Sequence, residues 1–210
     1  MRFILHSLLL GLFFITGSAT VVAQQQDTSA DPVEIFGFFG DIVYGEADAK
    51  IEVIEFASLT CPHCASFHKD QLPAVLQQHV ETGKVRFVFR NFILNDLDMA
   101  VAVISRCRDM EFAKKAQDKL FETQQTWSRS PDVLKAVVEL FAGLGMERPE
   151  FDKCVQNQPM AKYLNDQTRK DAEQYNIKGT PTVTVNGITV RATFDAIDSA
   201  VAANELKQGS

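Results

Sequence analysis

The sequence has no excess of basic residues. Lys and Arg number 21 against 27 Asp and Glu, a formal charge of −6. That balance argues against nucleic acid as a partner and offers no basic patch to anionic lipid. The acidic residues are spread along the chain, which reads as a solvated face rather than a binding tail. No internal repeat and no long low-complexity run is present. Cysteine is scarce, at four, and there is no second closely spaced pair. Cys107 and Cys154 each stand alone, and His63, His68 and His79 make no matching pair, so the ligand set of a zinc site is not met. The apolar run Ile4 to Ile15 is short for a membrane span, which needs about 20 residues.

What is there begins with that run. Met1-Arg2 gives a positive start, ILHSLLLGLFFI follows, and Val21 and Ala23 are small residues at signal-peptidase positions. Residues 1–23 therefore read as a secretory signal peptide, cleaved near Ala23. Its removal takes one positive charge, Arg2, and leaves the mature chain near −7. Gln24 to Asp31, QQQDTSAD, reads as a loose mature N-terminus. The 210 residues, 46% hydrophobic, fit one domain or one domain with an insertion, with enough apolar material for a sizeable core.

Ile51 to Ala57, IEVIEFA, predicts a central strand, although Glu52 and Glu55 break simple alternation. Thr60 is expected to cap a helix beginning at Cys61, with Pro62 in its first turn. That helix should run toward Val80, bend near Pro73 and stop at Gly83. Val85 to Asn91 predicts a second strand, which completes a βαβ unit. From about 95 to 158 the pattern is helical: a run capped by Asn95 through Cys107, Glu111 to Trp127, a third from Ser130-Pro131 to near Gly143 or Gly145, and Glu150 to Gln156. Met160 to Asn176 predicts a longer helix. Thr182 to Val185, the Asn186-Gly187 turn and Ile188 to Val190 predict a hairpin, and Asp195 to Leu206 a last helix.

FASLTCPHCASFH places Cys61 and Cys64 three apart at the start of the first helix. There the Cys61 sulfur faces unpaired N–H groups and the positive end of the helix dipole, which favour a thiolate. His63 adds a hydrogen-bond donor or a positive charge nearby. Cys64 lies one turn on, on the same face and more buried. A purely structural bridge between them would close a tiny loop and remove little unfolded-state entropy, so a reactive bridge is the better reading.

The segments EFASLTCPHCASF and GTPTVTVNG, with the helical block between them, resemble the DsbA-like disulfide oxidoreductases of the thioredoxin superfamily. The resemblance spans nearly all of the mature chain. It implies an α/β thioredoxin fold with an inserted all-helical subdomain at about 95–158 in a domain from 24 to 210. Cys61 is then the exposed attacking sulfur and Cys64 the resolving one, tuned by Pro62 and His63. Thr180-Pro181 matches the superfamily's cis-proline loop, which leaves backbone groups for an extended substrate. Glu55 matches a buried acid that handles the proton of Cys64; the alternative is a polar residue on a strand edge.

Cys107 and Cys154 depart from the simplest members. They suggest a structural disulfide pinning the helical block, worth up to about 4 kcal/mol by chain entropy; the alternative is two buried free thiols. The implied function is a periplasmic or secreted thiol–disulfide oxidase acting on unfolded exported proteins. It needs no cofactor beyond the Cys61–Cys64 disulfide, works as a monomer, and is reoxidised by a DsbB-like membrane partner. An isomerase or reductase on the same fold remains open, as does a non-enzymatic chaperone-like module. Isomerases of the DsbC kind carry an N-terminal dimerisation domain, for which the segment after Gln24 reads as too short.

Overall fold

The computed structural model describes residues 36–208. The signal segment, its cleavage near Ala23 and the loose terminus at Gln24 to Asp31 lie outside the described residues. Five strands form one mixed sheet in the order β1-β3-β2-β4-β5. β2 (Ile51–Ala57) and β3 (Val85–Asn91) run parallel, with Ile51 opposite Val85 and Ala57 opposite Asn91. β4 (Thr182–Val185) pairs antiparallel with β2, and β5 (Ile188–Val190) returns beside it. Asn186 and Gly187 both take positive φ, 44° and 79°, as their two-residue turn requires. β1 (Ile42–Tyr44) pairs antiparallel with β3 and has no counterpart in the sequence reading. Three residues are too few to show a period of two.

β2 is covered on both faces. Val53 and Ala57 pack into the main core with Phe67, Phe87 and Phe89, while Ile54 and Phe56 pack with Val88 and Ile177 on the other side. A strand buried on both faces does not need alternation, which accounts for its irregular apolar pattern.

α1 (Pro62–Asp70) leaves the C-terminal end of β2. The helical path toward Val80 exists, but as separate pieces. α2 (Leu72–Val75) starts afresh after Gln71 with Pro73 in its first turn, and continues as a π-helical turn, Leu76–Val80. Proline tolerates a helix start and not a helix interior, so the break falls just before it.

The block between β3 and the long α8 (Gln158–Gln174) is helical: α3 (Asp96–Ser105), α4 (Met110–Glu122), α5 (Gln124–Trp127), α6 (Val133–Gly143) and α7 (Arg148–Val155). Asn95 caps α3 by accepting the Asp98 N–H, as expected. The single helix expected over Glu111 to Trp127 is divided at Thr123, whose hydroxyl donates to the Lys119 carbonyl at 2.7 Å. The third helix starts at Val133 rather than at Ser130-Pro131, because Asp132 is the cap, accepting the Lys135 N–H at 2.9 Å. Phe112, Leu120, Trp127, Phe141 and Phe151 fill this block, and the Trp127 indole N–H is satisfied by the Leu120 carbonyl at 2.8 Å. Cys107, just after α3, is joined by a disulfide to Cys154 on α7, with Cα atoms 5.7 Å apart. α9 (Phe194–Gln208) packs back against α2 and the β4–β5 hairpin.

Candidate active site

The loop Ser58-Leu59-Thr60 carries the chain from the end of β2 to Cys61. Side chains of the helical block hold it. Asp98 of α3 accepts the N–H groups of Leu59 at 2.8 Å and Leu94 at 3.0 Å. Burial pushes its carboxyl up to about 6, against the pull of those hydrogen bonds. Gln124 of α5 donates Nε2 to the carbonyls of Leu59 at 2.9 Å and Cys61 at 3.0 Å. Gln124→Ala takes this donor from the buried Leu59 carbonyl and leaves the Cys61 carbonyl with only the Ala65 N–H, so we expect a stability loss of about 1–3 kcal/mol in urea unfolding, with a slower thiol reaction at Cys61.

Cys61 is itself the N-cap of α1, so the expected capping by Thr60 does not occur. The Thr60 hydroxyl is engaged elsewhere, with Ser58 Oγ at 3.0 Å and as acceptor from Asn95 Nδ2 at 3.1 Å. Pro62 takes the first turn, as predicted. Cys61 is only 8% exposed, less open than the expected exposed sulfur, while Cys64 is fully enclosed. Pro62 and His63 between them face solvent.

Both thiols are free, and their electrostatics diverge. Cys61 is held down to about 5, first by a hydrogen bond from the Cys64 thiol, against desolvation, and then by the Thr180 hydroxyl and the backbone N–H groups of Cys64 and His63. Cys64 is pushed far up by burial, by its role as donor to Cys61, and by the charge of Glu55. The His63 contribution among these is that of its backbone N–H.

The Thr180–Pro181 peptide bond is cis, and the Cys61 thiol donates to the Thr180 carbonyl at 3.3 Å. In that thiol form the buried Thr180 hydroxyl has no partner. Once Cys61 ionises, the hydroxyl can turn donor to the sulfur, which is how it lowers the thiol's proton affinity. Loop and thiol pair, 119 residues apart in sequence, therefore meet as expected.

Glu55 lies on the central strand and is fully enclosed, so the strand-edge alternative is set aside. Its Oε2 sits 2.7 Å from Nε2 of His68, whose ring stacks on Phe121 with centroids 4.1 Å apart. Sequence reasoning missed His68, Asp98 and Gln124. His68 had a signal, since it follows Cys64 by four residues and so shares its helix face. Asp98 had a weaker one in the Asn95 cap, and Gln124 had none. Among the described residues no group of three or more His, Cys, Asp or Glu is arranged to hold a metal ion. No helix among them is long and apolar enough to cross a membrane.

Residues 39–203 match the family model described as Thioredoxin. This chain belongs to the thioredoxin family. It is 29% identical over 173 residues to a Rickettsia bellii protein whose name places it among protein-disulfide oxidoreductases, covering 80% of this chain and 67% of that one. Four further rickettsial relatives are covered over 59–60% of their length. A solved protein-disulfide isomerase from Novosphingobium aromaticivorans is 25% identical, with a TM-score of 0.71 over 79% of this chain and 97% of that one. Wolbachia pipientis alpha-DsbA1 is 20% identical and shares the fold, with a TM-score of 0.72 over 80% of this chain and 92% of that one. With its mixed sheet and added helices the chain has the fold of the DsbA structures, a variant of the thioredoxin fold.

Proposed function

We propose that this protein is an exported thiol–disulfide oxidase that introduces disulfides into newly secreted, unfolded polypeptides through Cys61 and Cys64. The observation that carries the reading is the split between the two sulfurs: Cys61 held near 5 and Cys64 kept as a thiol. A stabilised thiolate favours the reduced protein, so the disulfide form readily passes its oxidation on. In the oxidised protein a substrate thiolate attacks Cys61 Sγ. The Cys61–Cys64 bond breaks, its electron pair leaves on Cys64, and a mixed disulfide forms at Cys61. A second substrate thiolate then attacks the substrate sulfur of that bond and expels Cys61 as thiolate. Two electrons pass from the substrate dithiol to the protein, which a DsbB-like membrane partner reoxidises.

Pro62 and His63 set the backbone around the thiolate, and Thr180 and Pro181 receive the extended substrate by strand addition. Glu55 handles the Cys64 proton. Residues from about 95 to 158 form an inserted helical subdomain pinned by Cys107–Cys154. The protein works as a monomer and needs no cofactor. Residues 1–23 are the export signal, which places the mature protein in the periplasm or outside the cell.

A second reading is isomerase or reductase activity. The likeness to a solved protein-disulfide isomerase favours it. Equilibration with glutathione buffers separates the two. An oxidase should show a potential near about −120 mV, whereas a value near about −180 mV would place it with the isomerases and one near about −270 mV with the reductants.

A further inference from the structure

The enclosed Glu55 does not stand alone, and its partner reaches solvent. We propose that Glu55 and His68 form a proton relay serving the buried Cys64, with His68 as the outlet into the cleft beside α1 and Asp118 as the counter-charge there. The proposal rests on the reading of Cys61 and Cys64 as the redox pair. His68 is a positioning residue, because it acts through Glu55.

Four observations carry it. A carboxyl with no exposed surface is costly unless paired, and the partner here is an imidazole, a side chain that can both give and take a proton. Oε2 of Glu55 is bound to His68 at 2.7 Å, while Oε1 is buried and has no partner, leaving it for the sulfur on which Glu55 acts. His68 follows Cys64 by one helical turn, so imidazole and thiol share the face of α1 turned toward β2. His68 is also one of the walls of a cleft of about 820 Å³, with Lys69, Asp118, Phe121 and Gln124. His68 therefore lies between the enclosed acid and the cleft, with 6% of its side chain exposed.

The charged surroundings are consistent. From β2 comes Glu55, and from α1 itself come Cys64 and, beyond it, Cys61. From α4 come Asp118, which interacts electrostatically with His68, and Lys114, which interacts with Asp118. From β1 comes the Tyr44 phenol, buried without a partner and within the fields of Asp118, Glu55 and Glu111. Glu55 and Asp118 are the acidic groups that act on the imidazole.

When a substrate thiolate attacks Cys61 Sγ, the Cys61–Cys64 bond breaks and the electron pair leaves on Cys64 Sγ. That enclosed sulfur takes a proton from Oε1 of Glu55. Glu55 regains one at Oε2 from Nε2 of His68, and His68 regains one from water in the cleft. One proton crosses from solvent to Cys64, and no further oxidant or reductant enters. Reoxidation runs the same path outward.

The test is the reaction of the oxidised protein with dithiothreitol between about pH 5 and pH 8, with each rate divided by the dithiothreitol thiolate concentration. In the parent protein this corrected rate should bend downward with rising pH as the imidazolium is lost. His68→Gln keeps a donor near Oε2 but cannot titrate. It should remove the bend and lower the corrected rate at the acid end by about tenfold or more. Asp118→Asn, an exposed change on α4, should keep the bend and move it to lower pH. A bend that persists in His68→Gln, or that stays in place in Asp118→Asn, overturns the relay. If His68→Gln does not fold by circular dichroism, the Asp118→Asn arm decides alone. A parent protein that reacts well but shows no bend also overturns the relay and leaves the redox pair standing. One that does not react sinks both.

Discussion

Cys61→Ser is expected to abolish thiol–disulfide exchange, lowering the rate of insulin reduction with dithiothreitol on the order of a thousandfold or more, as loss of a covalent nucleophile does. Held at about 5, the Cys61 thiol is about 99% ionised at pH 7, whereas an ordinary cysteine is only a few per cent thiolate. A serine hydroxyl in the same place stays protonated and forms no disulfide. Cys64 cannot substitute, since it is enclosed and pushed up by burial. Cys107 and Cys154 are already joined to each other. Cys64→Ser is the informative companion. It keeps the attacking sulfur and removes the one that releases it, so mixed disulfides with substrate should accumulate on a non-reducing gel. Exchange at the parental rate in Cys61→Ser would sink the assignment of the nucleophile.

The second large effect is on stability. Reduced protein should resist urea better than oxidised protein, and the gap should widen by about 2–3 kcal/mol between pH 5 and pH 7. The sign follows from proton counting. Between about 5 and 8.5 the folded reduced chain has lost the Cys61 proton while the unfolded chain keeps it, so stability rises with pH across that window. It is lost as pH falls through the folded value. Cys64 remains a thiol in both folded and unfolded chains below about 8.5 and adds nothing there. Asp98, raised to about 6 by burial, works the other way: folding is favoured below that value and weakened as pH rises through it. It does so in both redox forms and cancels from the difference. A gap of this size corresponds to about 50 mV of added oxidising power. Urea midpoints that differ by the same amount at both pH values would contradict it.

Much of this was legible in the chain itself. Ile51–Ala57 and Val85–Asn91 could be read because each is a concentrated β-rich run bounded by turn signals. The hairpin could be read because Asn-Gly is chemically specific for its turn. The Cys61–Cys64 spacing and Thr180-Pro181 indicated where the site would lie. Two kinds of feature could not be read. Short elements such as Ile42–Tyr44 gain their stability from the neighbouring strand and leave no periodic trace. Long-range polar contacts leave none either: nothing in the sequence around Gln124 says that its amide will meet the carbonyls of Leu59 and Cys61, more than sixty residues earlier. The Thr60 cap failed for a related reason. Its hydroxyl had a better partner in Asn95, which only the folded helical block brings near.

The Cys107–Cys154 bridge sets a condition on how the protein comes into being. A chain that leaves the ribosome has four thiols, and two of them must be oxidised to reach the structure described above. The partners are 47 residues apart and enclosed once folded, so the bond has to form while α3 and α7 can still move. Under the proposed activity, the first copies in a cell depend on some other oxidant. Later copies can be matured by those that came before, which makes the protein a client of its own chemistry.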